Sequence, residues 1–162
     1  MSRDWILRQR GFTVIEVLLV IVVIGVLLSI AAPSFVTFTS SQKVKTASFD
    51  LYAAMMFARS EAIKRRVNVT VKPTDDVDWK NGWTIDAAGV ATPLRRQDSL
   101  SGVSFSGATS MVYRLDGRLT SGAAVGVLIQ PAIADSSIKN RCIRVDPTGL
   151  PKSTIIDTTT CP

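Results

Sequence analysis

One stretch limits what this chain can fold into more than any other. From Phe12 to Ala32 the sequence is apolar apart from Thr13, Gly25, Ser29 and one charged residue, Glu16. As a helix, a segment of this length spans about 31 Å, close to the roughly 30 Å hydrocarbon core of a bilayer. Arg3, Arg8 and Arg10 precede it. Basic residues before a span hold that end on the cytoplasmic side, so the remainder of the chain is expected to be exported.

Three kinds of segment fit this outline. A secretory signal peptide would be cut after the apolar run, and Ser29-Ile30-Ala31 supplies a small-x-small site. A permanent anchor would not be cut. The third kind is cut before the run and keeps it. Glu16 separates them, because a carboxylate in lipid costs a few kcal/mol on the order of insertion scales and marks a functional position. Neither a signal peptide nor a plain anchor has a use for it. A subunit that pairs with a neighbour inside a membrane does. Cutting after Gly11 would expose a cationic amine on Phe12, and Glu16 lies about one helical turn away on the same face. The amine of one subunit and the carboxylate of the next would neutralise each other in apolar surroundings.

The residues Arg10-Gly11-Phe12-Thr13-Val14-Ile15-Glu16, followed by the apolar run and Pro33, resemble the class III signal of type IV pilins and type II secretion pseudopilins. The resemblance implies cleavage between Gly11 and Phe12 by a prepilin peptidase, N-methylation of Phe12, and an assembly salt bridge through Glu16. It also implies residence in the bacterial inner membrane with the C-terminal part periplasmic, then transfer into a filament of major and minor pilins or pseudopilins. Pro33 removes a backbone donor, so a kink or local loss of helix is expected there.

The expected organisation is a leader over 1–11, a transmembrane half-helix over 12–33, an amphipathic half-helix over 34–66 and a β-rich domain over 67–162. Val44, Ala47, Leu51, Ala54, Ala58 and Ala62 recur at helical spacing. Lys64-Arg65-Arg66 complements the helix C-terminal dipole. From Val67 the period becomes that of strands, with candidates at Val67–Val71, Thr84-Ile85, Val103–Phe105, Met111–Arg114, Val125–Gln130, Cys142–Val145 and Ser153–Ile156. Trp79-Lys80-Asn81-Gly82-Trp83 reads as a hairpin with an Asn-Gly turn. Asp146-Pro147-Thr148-Gly149 reads as a second turn, and Arg95-Arg96 with Asp98 as a polar turn. One long helix followed by many short strands predicts an α+β, pilin-like fold, with the helix packed on an antiparallel sheet or small sandwich. Phe57-Ala58-Arg59-Ser60-Glu61-Ala62, the Asn-Gly-Trp turn and Thr148-Gly149 resemble the GspH/FimT group of minor pilins. Within that group the terminal cysteine pair is similar to the FimU type.

Charge and composition narrow the function. Net charge is +6, of which the leader carries +2; so mild an excess does not imply nucleic acid. There is no histidine, which removes the commonest general base and metal ligand. No catalytic set, cofactor site or metal site is expected. Asp75-Asp76-Val77-Asp78 lacks the ligand number and glycine of a calcium loop and reads as a solvated acidic loop. Cys142 and Cys161 form one disulfide if the domain is exported, or two free thiols in a reducing compartment. Some FimT-type proteins bind DNA through a C-terminal Gly-Arg-x-Arg motif. Here that turn reads Gly149-Leu150-Pro151-Lys152, which lacks both arginines. Lys152, with Lys139, Arg141 and Arg144, remains as the candidate set of phosphate contacts. No aromatic residues are interleaved with them for base stacking. The function expected is a minor type IV pilin that helps start pilus assembly. The alternatives are a DNA-binding minor pilin for transformation and a type II secretion pseudopilin.

Overall fold

The structure is a computed structural model that describes residues 11–133 and 137–161. The leader residues 1–10 lie outside the described residues. The chain forms two compact units, 1–36 and 37–162. Helix α1, Val14–Arg65, runs through Pro33 without interruption. The local loss of helix expected at Pro33 is therefore absent. One missing N–H forfeits a single hydrogen bond, and the turns on either side keep theirs.

In the first unit every described side chain is exposed. In the second, α1 buries Val44, Ala47, Ser48, Leu51, Ala54, Met55, Ala58, Glu61 and Ala62. These are the helically spaced residues of the sequence, together with neighbours at adjacent heights. Arg66 ends the helix in a left-handed conformation, at φ 58°. Glu61 accepts a hydrogen bond from Arg65 Nε at 2.5 Å and pairs with Lys64 at 3.6 Å. Its carboxyl is held below the usual range, chiefly by the Arg65 bond.

Eight strands follow: β1 Val69–Pro73, β2 Trp83–Ala87, β3 Arg95–Gln97, β4 Val103–Gly107, β5 Met111–Tyr113, β6 Val125–Pro131, β7 Asn140–Val145 and β8 Pro151–Ile156. They form two four-stranded sheets, ordered β3-β2-β1-β5 and β4-β6-β7-β8, with every neighbouring pair antiparallel. Alternating burial puts Val69, Val71, Ile85, Val127, Ile129, Ile143 and Val145 into the core that also holds the buried face of α1.

Two turn expectations are corrected. The Trp79–Trp83 stretch is not a two-residue hairpin. Trp79–Asn81 is a 3-10 turn inside the longer connection from β1 to β2. The Asp75 carboxylate accepts from the N–H groups of Val77 and Asp78, both at 3.0 Å, and from Asn81 Nδ2 at 2.6 Å. Asp78 caps the 3-10 turn through Lys80 N–H. The local side-chain bonds outcompete the hairpin, and the acidic loop is a capping device. Its geometry pulls the Asp75 carboxyl down to about 2. Trp79 is thereby buried, with Nε1 donating to the Ala108 carbonyl at 2.7 Å. Trp83 stands between it and Phe105, with centroid separations of 6.3 and 6.4 Å. The second correction concerns Arg95 and Arg96. They form not a turn but the edge strand β3, paired with β2. A strand of three residues, two of them charged, carries no hydrophobic alternation to find.

Candidate functional site

Two regions concentrate the candidate functional residues. At the N-terminal end, Phe12 is 82% exposed and Thr13 caps α1. Thr13 Oγ1 accepts from Glu16 N–H at 3.3 Å, and the Thr13 carbonyl accepts from Glu16 and Val17 N–H at 3.1 and 3.2 Å. Thr13-x-x-Glu16 has the spacing of a helix capping box. That signal is visible in the sequence but was hidden by the apolar run around it. Because Thr13 starts the helix, Glu16 lies in its first turn. A Cβ built on Gly11 would meet nothing within 4 Å among the described residues outside its chain neighbours.

The second region is the surface where α1 and the β7–β8 hairpin meet. Arg141 lies opposite Ile155 in the β7–β8 register and Arg144 opposite Lys152. Side chains alternate along a strand, so Arg141 and Arg144 point to opposite faces. Arg141 lines a groove of about 460 Å³ with Lys45, Phe49, Tyr52 and Ser153. On that same face Ser48 and Ser153 share a hydrogen bond at 3.0 Å. Lys139 pairs with Asp157 at 2.6 Å. The four candidate DNA contacts are thus split between two faces, Lys139 with Arg141 on one and Arg144 with Lys152 on the other. Aromatic residues do stand beside Arg141, which sequence order hides because Phe49 and Tyr52 arrive from α1.

A third feature escaped the sequence reading. Arg59 donates from Nε to the Gly117 carbonyl at 3.1 Å and from Nη2 to the Thr148 carbonyl at 3.5 Å. It ties the helix to the loop after β5 and to the β7–β8 turn. A Cβ on Gly149, which has φ 83°, would collide with the Gly117 carbonyl. In that turn the Asp146 carboxylate accepts from Thr148 and Leu150, and these bonds lower its pKa. Tyr113 is fully buried with its hydroxyl unpartnered among the described residues, and burial pushes its phenol above the usual range.

Cys142 and Cys161 are joined in a disulfide, with Cα atoms 5.4 Å apart. A Cβ at Gly126 would meet Cys161 Sγ at 2.6 Å, so the bridge lies directly over β6. Among the described residues no cluster of metal-ligating side chains is present.

The family model described as type II transport protein GspH matches residues 47–149. The chain belongs to the GspH family. The prokaryotic N-terminal methylation motif matches residues 6–32 of this GspH-family chain, the span that carries Gly11, Phe12 and Glu16. A fimbrial protein of Pseudomonas aeruginosa is 30% identical over 76 residues, 47% of this chain and 49% of that protein. The type IV major pilin protein PilA of Myxococcus xanthus (strain DK1622) is 44% identical over 46 residues, 28% of this chain and 21% of PilA. The chain therefore spans about half or less of the length of the curated relatives it matches. Among solved structures, the type IV minor pilin FimU of P. aeruginosa (strain PAO1) superposes with a TM-score of 0.61 at 22% identity, covering 77% of this chain and 96% of FimU. The minor pseudopilin EpsH of the Vibrio cholerae type 2 secretion system gives 0.51 at 11% identity, covering 70% and 96%. At these identities the two structures establish the pilin-like fold. That fold accords with membership of the GspH family.

Proposed function

We propose that this chain is a minor subunit of a type IV pilus, processed by a prepilin peptidase between Gly11 and Phe12, methylated at Phe12, and taken from the inner membrane into the filament, where it helps start assembly. The observation that carries this reading is the position of Glu16. It is the single acid of an otherwise apolar, exposed helical segment, four residues from Phe12 and in the first turn of α1. Its carboxylate is the complement of the amine that cleavage would create on a neighbouring subunit. That pairing gives a costly charge a place in lipid.

The helix from Val14 is long and apolar enough to cross a membrane, by length and composition. In the assembly step the chain's own groups do two things. The apolar side chains hold the subunit in the bilayer until transfer, and Glu16 selects the depth at which it meets its neighbour. Pro33 marks the weakest point of the helix ladder and remains the proposed site of bending.

Intact mass before and after exposure to a prepilin peptidase tests the processing. A mature chain beginning at any residue other than Phe12 overturns it. A second reading, a pseudopilin of a type II secretion system, is favoured by the description of the matching family model. Deleting the gene and scoring pili against secreted enzymes separates the two machines. DNA binding is disfavoured by the separation of Arg141 from Arg144 and Lys152, and a gel shift at low salt tests it.

A further inference from the structure

Strand β8 is the last strand of its sheet. Its ladder to β7 can be phased from the turn. Asp146 N–H donates to the Leu150 carbonyl at 3.2 Å. Antiparallel pairs alternate, so 144/152, 142/154 and 140/156 are the hydrogen-bonded pairs. Pro151, which has no N–H, then falls at a position where none is needed. The N–H and C=O groups of Ser153 and Ile155 point away from β7. Among the described residues they receive no other backbone bond. The segment after β8 turns back over β7, with Asn140 Nδ2 donating to the Thr158 carbonyl at 3.1 Å and Cys161 bonded to Cys142, and among the described residues no backbone bond closes this edge.

Side chains of Ser153 and Ile155 lie on the face that lines the α1 groove, and Ile155 is 61% exposed. Phe49, on the opposite wall, is 70% exposed. Lys45 and Arg141 line the same groove, and neither has an ion pair among the described residues.

We propose that β8 is a docking edge for an extended segment of a different pilin-type subunit, which adds as a fifth strand and places an acidic side chain in the groove against Arg141 and Lys45. The proposal rests on the filament-subunit reading and names the chemistry of its partner. Strand addition supplies main-chain hydrogen bonds, and alternate side chains of the added strand enter the groove beside Phe49 and Tyr52. Charge selects the occupant. Two copies of this chain pairing β8 to β8 would bring both cation pairs together, and like charges facing each other suppress that contact. A nucleic acid strand needs a track of cations, whereas Lys139 is paired with Asp157 and Arg144 and Lys152 face the other side.

The test uses the processed full chain in detergent, mixed singly with each other pilin-type subunit of the same cell. Hydrogen exchange of the Ser153 and Ile155 amides should slow at least tenfold with one of them. Ile155→Pro removes an outward N–H without touching the β7 ladder, and Arg141→Glu reverses a groove charge. Each should weaken binding at least tenfold while the melting temperature holds. An acid-to-lysine change in the partner's protected segment should restore binding to Arg141→Glu alone. The idea is overturned by protection elsewhere, by unchanged affinity in both variants, or by no binding among those subunits. It is equally overturned if self-association or an oligonucleotide protects the two amides. Cleavage at Phe12 and the effect of Glu16 are read on the same variants, so failure of the edge leaves the filament reading separately judged.

Discussion

Helix α1 carries two kinds of information. Up to Val36 none of its described side chains is buried, and its content is length, apolarity and one acid. From Val44 to Ala62 it shares a core with both sheets, and its content is shape. On the proposed function, the first stretch is specified for a solvent and a neighbour, and the second is specified for its own domain. Substitutions in the first should change where the subunit goes and leave the domain's stability alone. Substitutions in the second should do the reverse.

The largest effect expected is on the first side. Glu16→Ala should reduce filament incorporation at least tenfold, measured as the pilus-associated fraction, while the melting temperature of the globular unit stays unchanged. Normal incorporation would break the comparison at its root. On the second side, Leu51→Ala empties a fully buried position and should cost about 2–5 kcal/mol in denaturant unfolding. Leu27→Ala, in the exposed stretch, should leave that transition where it was. Removing the disulfide with Cys142→Ser and Cys161→Ser opens a loop with a separation of 19 residues and should cost about 3 kcal/mol. Arg59→Ala releases two loop carbonyls and should cost about 1.5–3 kcal/mol, as for hydrogen bonds from a charged donor. The smallest effect is at Asp75. Its folded carboxyl sits at about 2 against an ordinary 3.8. Its stabilising share is complete above the ordinary value and is lost as pH falls through the folded one. Asp75→Asn should lower stability at neutral pH, and the gap to the parent should close as pH falls from the ordinary value towards the folded one, as read from denaturant unfolding across that range.

The same division decides what could be read from the residues. The helix, its buried alanine stripe and seven of the eight strands carry periodic signals that survive in one dimension. The β3 strand does not, because Arg95 and Arg96 are held by pairing to β2 rather than by burial. The Asn81-Gly82 turn misled because a carboxylate six residues earlier claims Asn81. The roles proposed for Gly11, Phe12 and Glu16 were suggested by the sequence because a charge inside an apolar run has few explanations. The Arg141 groove was not, since its walls come from α1 and from a hairpin about ninety residues later in the chain, as long-range packing requires. Arg59 stood in view within a charged, helical stretch, and only its distant acceptors give it meaning.

The indole of Trp79 reaches from the β1–β2 connection to the carbonyl that follows β4, with Trp83 and Phe105 continuing the row from one sheet to the other. The chain's third tryptophan, Trp5, would leave with residues 1–11. All indole emission from the processed subunit would then arise at this junction. Its wavelength and intensity would gauge, without any label, whether the two sheets stay closed.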